Sequence, residues 1–226
     1  MSVSHATVML ALALAIDVAF GEPPNQLHPV AWFGTLATKL RATFPLRPAA
    51  PALLGGVLLI LAGVACVGVL LLTDVLLRDR APFLTDLLNL FWLQASFAGR
   101  ALLSAGTVVE HALTAGDLPA ARAGLRSLCS RDPATLTEDE LAGAATSSLA
   151  ENLSDSVVAP LFYYALFGLA GALVFRVVNT LDAMVGYRGR YEWLGKPAAR
   201  LDDLLGLVPA RLTVLLLALA GLLLRV

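Results

Sequence analysis

Four polar clusters interrupt an otherwise apolar chain, and each holds residue types suited to acid–base, metal or phosphate chemistry. The first contains Asp17, Gly21-Glu22-Pro23-Pro24 and His28-Pro29-Val30, two carboxylates and an imidazole within a dozen residues. They sit just where the first apolar run ends. The plainer alternative is an interfacial turn, with the prolines ending a helix and Trp32 anchored at the headgroups. The second cluster, Ser130-Arg131-Asp132-Pro133, taken by itself is an ion pair in a turn. In the third, Ala150-Glu151-Asn152-Leu153-Ser154-Asp155, the two acids are four apart and share a helical face one turn from each other. Like charges at that spacing repel, and a cation such as Mg²⁺, bound together with substrate phosphates, would relieve the repulsion. A helix cap at Ser154 or Asp155 is the structural alternative, and it explains only one of the two acids.

The fourth cluster is the richest. Asn179, Asp182 and Gly186 fall on one helical stripe, followed by Arg188, Lys196, Arg200, the pair Asp202–Asp203, and Arg211. Lys196, Arg200 and Arg211 suit phosphates, while Asp202 and Asp203 suit a metal ion. A basic juxtamembrane loop on anionic lipid would account for the cations, but not for the acids among them.

The elements that must position these clusters are membrane helices. Of 226 residues, 58% are hydrophobic and 15% charged, against about 25% charged in soluble domains. Mean hydropathy is +0.77. A net charge of −1 excludes bulk nucleic-acid binding. Cys66 and Cys129 form neither a metal pattern nor a disulfide framework.

No charge falls between Pro48 and Thr73, and Leu53–Leu72 alone meets the requirement of about 20 apolar residues. Met1–Ile16 lacks the basic start of a signal peptide and reads as a retained first span ending near Asp17. Leu87–Leu113 reads as a third span, with Arg100 turned into the bundle. Leu212–Leu224 is short and spans only if its helix begins near Leu204. Ser156–Phe175 is long enough to span, yet Pro160 and the Gly168–Gly171 pair divide it. As a full span it would place Arg122, Arg126 and Arg131 opposite Arg188, Arg190, Lys196 and Arg200, against the positive-inside rule. A re-entrant hairpin turning near Gly168 puts both groups on the cytoplasmic side.

The expected fold is therefore all-α. It is a polytopic membrane bundle of one domain, 1–226, with a re-entrant hairpin, short cytoplasmic helices at about 115–155, and an active-site-like loop at about 179–211. Asp117 should cap a helix running through Arg126. Thr137 with Glu140 forms a capping box for another, reaching about Glu151.

Taken together, the clusters resemble a known family. Gly21-Glu22-Pro23-Pro24, His28-Pro29-Val30, Ser130-Arg131-Asp132, Ala150-Glu151-Asn152 with Asp155 and Pro160, Asn179-Thr180-Leu181-Asp182-Ala183-Met184-Val185-Gly186-Tyr187, Ala199-Arg200-Leu201-Asp202-Asp203 and Pro209-Ala210-Arg211-Leu212 occur in one order. They closely resemble the adenosylcobinamide-phosphate synthase family of cobalamin biosynthesis, from about Ile16 to Thr213.

The resemblance implies a multi-pass enzyme of the bacterial inner membrane, with its active-site loops cytoplasmic. It would join a propionate carboxylate of adenosylcobyric acid to aminopropanol or aminopropanol phosphate, driven by ATP and Mg²⁺. Glu151, Asp155, Asp182, Asp202 and Asp203 would then surround Mg²⁺. Arg131, Lys196, Arg200 and Arg211 would hold phosphates, with Asn152 and Asn179 beside the substrate. Glu22 and His28 would orient substrate or take a proton, and Glu151 and Arg200 would share in catalysis. A homo-oligomer or other cobalamin-pathway proteins are possible partners.

Three departures accompany the resemblance. The family's members usually continue well past the Pro-Ala-Arg-Leu motif, whereas this sequence stops at Val226. Ser147 and Gly206 stand where the family usually has Glu and Asn. The alternative expectation is a shortened, non-catalytic, corrinoid-binding or transport protein derived from the synthase.

Overall fold

The computed structural model describes residues 3–129 and 132–224. Among them the chain is all helix, with no strand.

The first apolar run forms α1 (Val3–Phe20). Its 18 residues reach about 27 Å, close to the thickness of a hydrocarbon core. Beyond the loop at Glu22, His28 caps α2 (Pro29–Arg41), where a proline suits the first turn. The uncharged run after Pro48 becomes α3 (Ala49–Arg78), whose last arginine pairs at 2.7 Å with both Asp74 and Asp86.

The expected third span is not one helix. Leu87–Leu113 is divided between α4 (Pro82–Gln94) and α5 (Gly99–Thr114). Long-range bonds fix the break. The Ala98 N–H donates to the Ser156 carbonyl at 2.9 Å, and the Arg100 N–H donates to Asp17 Oδ2 at 2.9 Å. Arg100 also donates through Nη1 to the carbonyls of Val18 and Ala19, satisfying the end of α1. The charge in this segment is therefore a helix clamp, and α4 alone, about 20 Å long, is too short to span.

The polar stretch folds as α6 (Leu118–Leu128) and α7 (Glu138–Leu153). Asp117 accepts from the Ala120 N–H, and Thr137 with Glu140 makes the reciprocal box, as their spacing predicts. These two helices and α5 close over Val109, Ala121, Leu125 and Leu141, all essentially inaccessible. Full burial of a Val or Leu side chain contributes about 1.5–3 kcal/mol.

After α7 one π turn (Ser154–Val158) leads into α8 (Ala159–Val185). Pro160 does not interrupt the helix as expected. It sits in the first turn of α8, where its missing N–H costs little. Gly168 does break the chain, with φ 65° and ψ −156°, a conformation essentially reserved for glycine. The two arms of α8 fold back on each other there. A Cβ added at Gly171 would run into the Tyr163 carbonyl, so the arms touch backbone to backbone. The chain doubles back into a helical hairpin, and near its turn the Tyr164 hydroxyl donates to the Ala6 carbonyl of α1.

The last helix, α9 (Glu192–Leu224), begins at Glu192 rather than near Leu204, and carries Pro197 and Pro209 within it. Three stretches, Ala49–Arg78, Glu138–Val185 and Glu192–Leu224, are long and apolar enough to cross a membrane. The middle one is the stretch that doubles back at Gly168. The main core joins α2, α3, α8 and α9 through Ala37, Leu59, Val177, Leu181, Leu194 and Ala198.

Candidate active site

Folding α8 back brings three of the polar clusters to one end of the bundle. Asp155 enters the hairpin, Asp182 leaves it, and Asp202 approaches on α9. These three carboxylates, with Asp203 beside them, lie close enough to act on one another electrostatically. Asn179 Nδ2 donates to Asp202 Oδ1 at 3.4 Å, tying α8 to α9 at the level of the acids. Glu151 is exposed one turn above Asp155 and acts on it as the spacing predicts. Asp155 itself lies on the π turn, which the spacing did not announce; such turns recur at functional sites.

Glu22 and His28 pair in the loop that leads into α2. His28 is buried, and its Nδ1 accepts from the Val30 N–H at 3.2 Å. The proton then resides on Nε2, which lies 3.3 Å from Glu22 Oε1 and donates to it. His28 thus aims the Glu22 carboxylate, leaving Glu22 as the group able to take a proton. Asp17, in the same sequence cluster, is instead spent on α5.

A second compartment adjoins the acids. Arg188, Lys196, Arg200 and Asp203, with Tyr187 and Glu192, line a polar cleft of about 400 Å³. Lys196 lies 3.7 Å from Glu192 and 4.6 Å above the Trp193 ring. Arg200 is exposed and 4.0 Å from Asp203. Asp203 therefore belongs to both compartments, facing Arg200 on one side and acting on Asp182 on the other.

Two expected site residues stand apart. Arg211 is eleven residues beyond Arg200, about 16 Å along the helix, and donates to the Leu207 carbonyl. Asn152 gives its amide protons to Ser148 and the Leu128 carbonyl, joining α7 to α6. Arg131 lies outside the described residues; Asp132 next to it accepts from the Ala134 N–H.

The residue missed by sequence reasoning is Arg176. It sits in the returning arm of α8, half-buried with its Nε sealed from solvent, where Glu22 and Asp155 act on it. Its only sequence signal is a lone charge closing an apolar run.

The model of one protein family, described as the CobD/Cbib protein, matches residues 10–226. The chain belongs to that family. It is 46% identical over 214 residues to a "Probable cobalamin biosynthesis protein CobD" of Thermococcus kodakarensis, covering 94% of this chain and 70% of the relative. A protein of the same printed name from Pyrococcus furiosus is 44% identical over 220 residues, 94% and 73% of the two chains. The "Cobalamin biosynthesis protein CobD" of Dehalococcoides mccartyi is 40% identical over 212 residues, 93% and 68%. No solved structure matches.

Among the described residues no three His, Cys, Asp or Glu side chains form a ready metal cage. The acids fit a looser demand. Mg²⁺ usually takes one or two carboxylates and completes its shell with water and substrate phosphates.

Proposed function

We propose that the protein acts in cobalamin biosynthesis as a membrane-bound ligase. It forms an amide between a propionate carboxylate of adenosylcobyric acid and the amine of aminopropanol phosphate, at the expense of ATP. The reading places it in the bacterial inner membrane with the site end of the bundle toward the cytoplasm, where ATP is found. The observation that carries it is Asp203, which links an acid group able to meet a metal–nucleotide to a cationic cleft able to meet phosphate.

The chemistry has two steps. A carboxylate oxygen of the corrinoid attacks the γ-phosphorus of ATP, giving an acyl phosphate and ADP. The amine then attacks the acyl carbon, phosphate departs, and a proton leaves the nitrogen. Lys196 and Arg200 hold phosphate oxygens and offset their charge. Arg200 is the better placed to grip two at once. Glu22, held by His28, accepts the amine proton. Bound Mg²⁺ would offset nucleotide charge, held by one or two of Asp155, Asp182 and Asp202. Asn179 keeps Asp202 turned toward that group.

The test is direct. Purified protein, adenosylcobyric acid, aminopropanol phosphate and Mg-ATP should yield adenosylcobinamide phosphate and ADP in equal amounts. Corrinoid binding without ADP release would favour the binding or transport reading instead.

A further inference from the structure

Beside the acids lies a cavity that the two compartments do not use. It has a volume of about 370 Å³ and is lined by Trp32 and Phe33 of α2, Val67 of α3, Trp92 of α4, and Leu173 and Arg176 of α8. Its walls are almost wholly apolar, and the guanidinium of Arg176 is its one cationic group. Trp32 and Trp92 meet edge to face there, 6.3 Å between ring centroids.

Arg176 is an anomaly of packing. Its Nε is sealed from solvent and has no hydrogen-bond partner. Glu22 and Asp155 act on it from a distance, yet no ion pair or side-chain hydrogen bond reaches it among the described residues. Buried charges are normally paired, since an unpaired one forfeits its hydration without return. The part-buried Arg78 obeys that rule by holding two aspartates, and Arg122, whose Nε is likewise sealed, donates through Nη2 to the Leu136 carbonyl. A cation left open between two acids that do not clasp it is arranged to receive an anion from outside the chain.

We infer that Arg176 anchors the carboxylate of the acyl-donor substrate, whose apolar edge enters the cavity beside it. This rests on the ligase reading and gives it a geometry. A carboxylate seated on Arg176 lies between Asp155, on the metal–nucleotide side, and Glu22, on the proton-accepting side. The guanidinium fork matches both carboxylate oxygens, so it fixes which oxygen faces the nucleotide. The cavity is too small for a whole corrin ring and takes one edge with its side arm. The seat favours the substrate over its product, because an amide brings no charge to the cation.

Tryptophan fluorescence reads this seat, since Trp32 and Trp92 line it and corrinoids absorb their emission. Full-length protein in nanodiscs of neutral phosphatidylcholine is titrated with adenosylcobyric acid and, separately, with adenosylcobinamide. The parent should bind the acid roughly 10–100-fold more tightly, the range of one charge-assisted hydrogen-bonded contact. Arg176→Met should erase that preference, and Arg176→Lys should keep part of it. Arg176→Met should also melt no lower than the parent in the absence of ligand, whereas an arginine serving structure would lower Tm on removal.

A preference for the acid that survives in Arg176→Met overturns the inference. So does weakened acid binding in nanodiscs containing phosphatidylglycerol, if Arg176→Met abolishes that weakening, since a lipid headgroup then owns the seat. The two readings separate cleanly. A parent that forms amide but shows an Arg176-independent preference loses only the anchor. A parent that shows the Arg176-dependent preference but forms no amide keeps the anchor and loses the ligase.

Discussion

Tyr163 and Phe175 stack with ring centroids 5.4 Å apart and planes 18° from parallel. In a straight helix twelve residues would separate them by about 18 Å. Their contact is the signature of the reversal at Gly168, and that reversal returns Asp182 to the end of the bundle that Asp155 left.

Topology follows from it. If the hairpin returns the chain to the side it left, the segments around Gly116, before it, and Gly189, after it, lie on one side of the membrane. With Cys66 and Cys129 replaced, single cysteines at positions 116 and 189 should react with an impermeant thiol reagent from the same side of the membrane. Labelling from opposite sides would show that 156–175 crosses.

The turn itself can be tested in isolation. A Cβ at Gly168 would meet no heavy atom within 4 Å, so any cost of Gly168→Ala comes from the backbone alone. Its positive φ lies in a region costing a non-glycine residue about 1–3 kcal/mol. Thermal unfolding in detergent should show a lower Tm for Gly168→Ala. Gly143→Ala, at an open position of α7 with helical φ, should not lower it.

Much of this frame is legible in the residues. The capping box at Thr137–Glu140 and the cap at Asp117 are local, so spacing reveals them. The hairpin is legible because arginine distribution and Gly168 point the same way. The break between α4 and α5 is not, because its cause is Asp17, more than eighty residues away, receiving the Arg100 N–H. Arg176 was hidden for the same reason. In the linear chain it is one charge beside an apolar run, and only the returned arm sets it beside Glu22 and Asp155. Arg211 shows the converse: a motif close to Arg200 in sequence lies three helical turns away along α9.

Asp155 is the acid at which the metal and cap readings separate. Its helix already has continuous backbone bonding through the π turn, so no free N-terminus needs its side chain there. Asp155→Asn should weaken Mg²⁺-dependent ATP binding while leaving the detergent-solubilised protein folded. Calorimetric titration of Mg-ATP measures the first and a melting curve the second. Unchanged binding with a lowered Tm would assign Asp155 to structure.

Arg200 offers the sharpest test of the chemistry. It is exposed at the rim of the cleft, 4.0 Å from Asp203, so neither packing nor burial holds it for the sake of the fold. Arg200→Lys retains the charge and loses the planar fork that can hold two phosphate oxygens. Substrate binding should therefore persist, because Lys196 and Arg188 still make the cleft cationic. Turnover should fall by about 10²–10³, the usual loss when one preorganised contact to developing charge is removed. The signature is a matched fall in kcat and kcat/KM, since the missing contact belongs to the transition state. A variant with raised KM and unchanged kcat would make Arg200 a ground-state phosphate contact. A variant as active as the parent would remove it from the reaction and leave the cleft's work to Lys196 and Arg188.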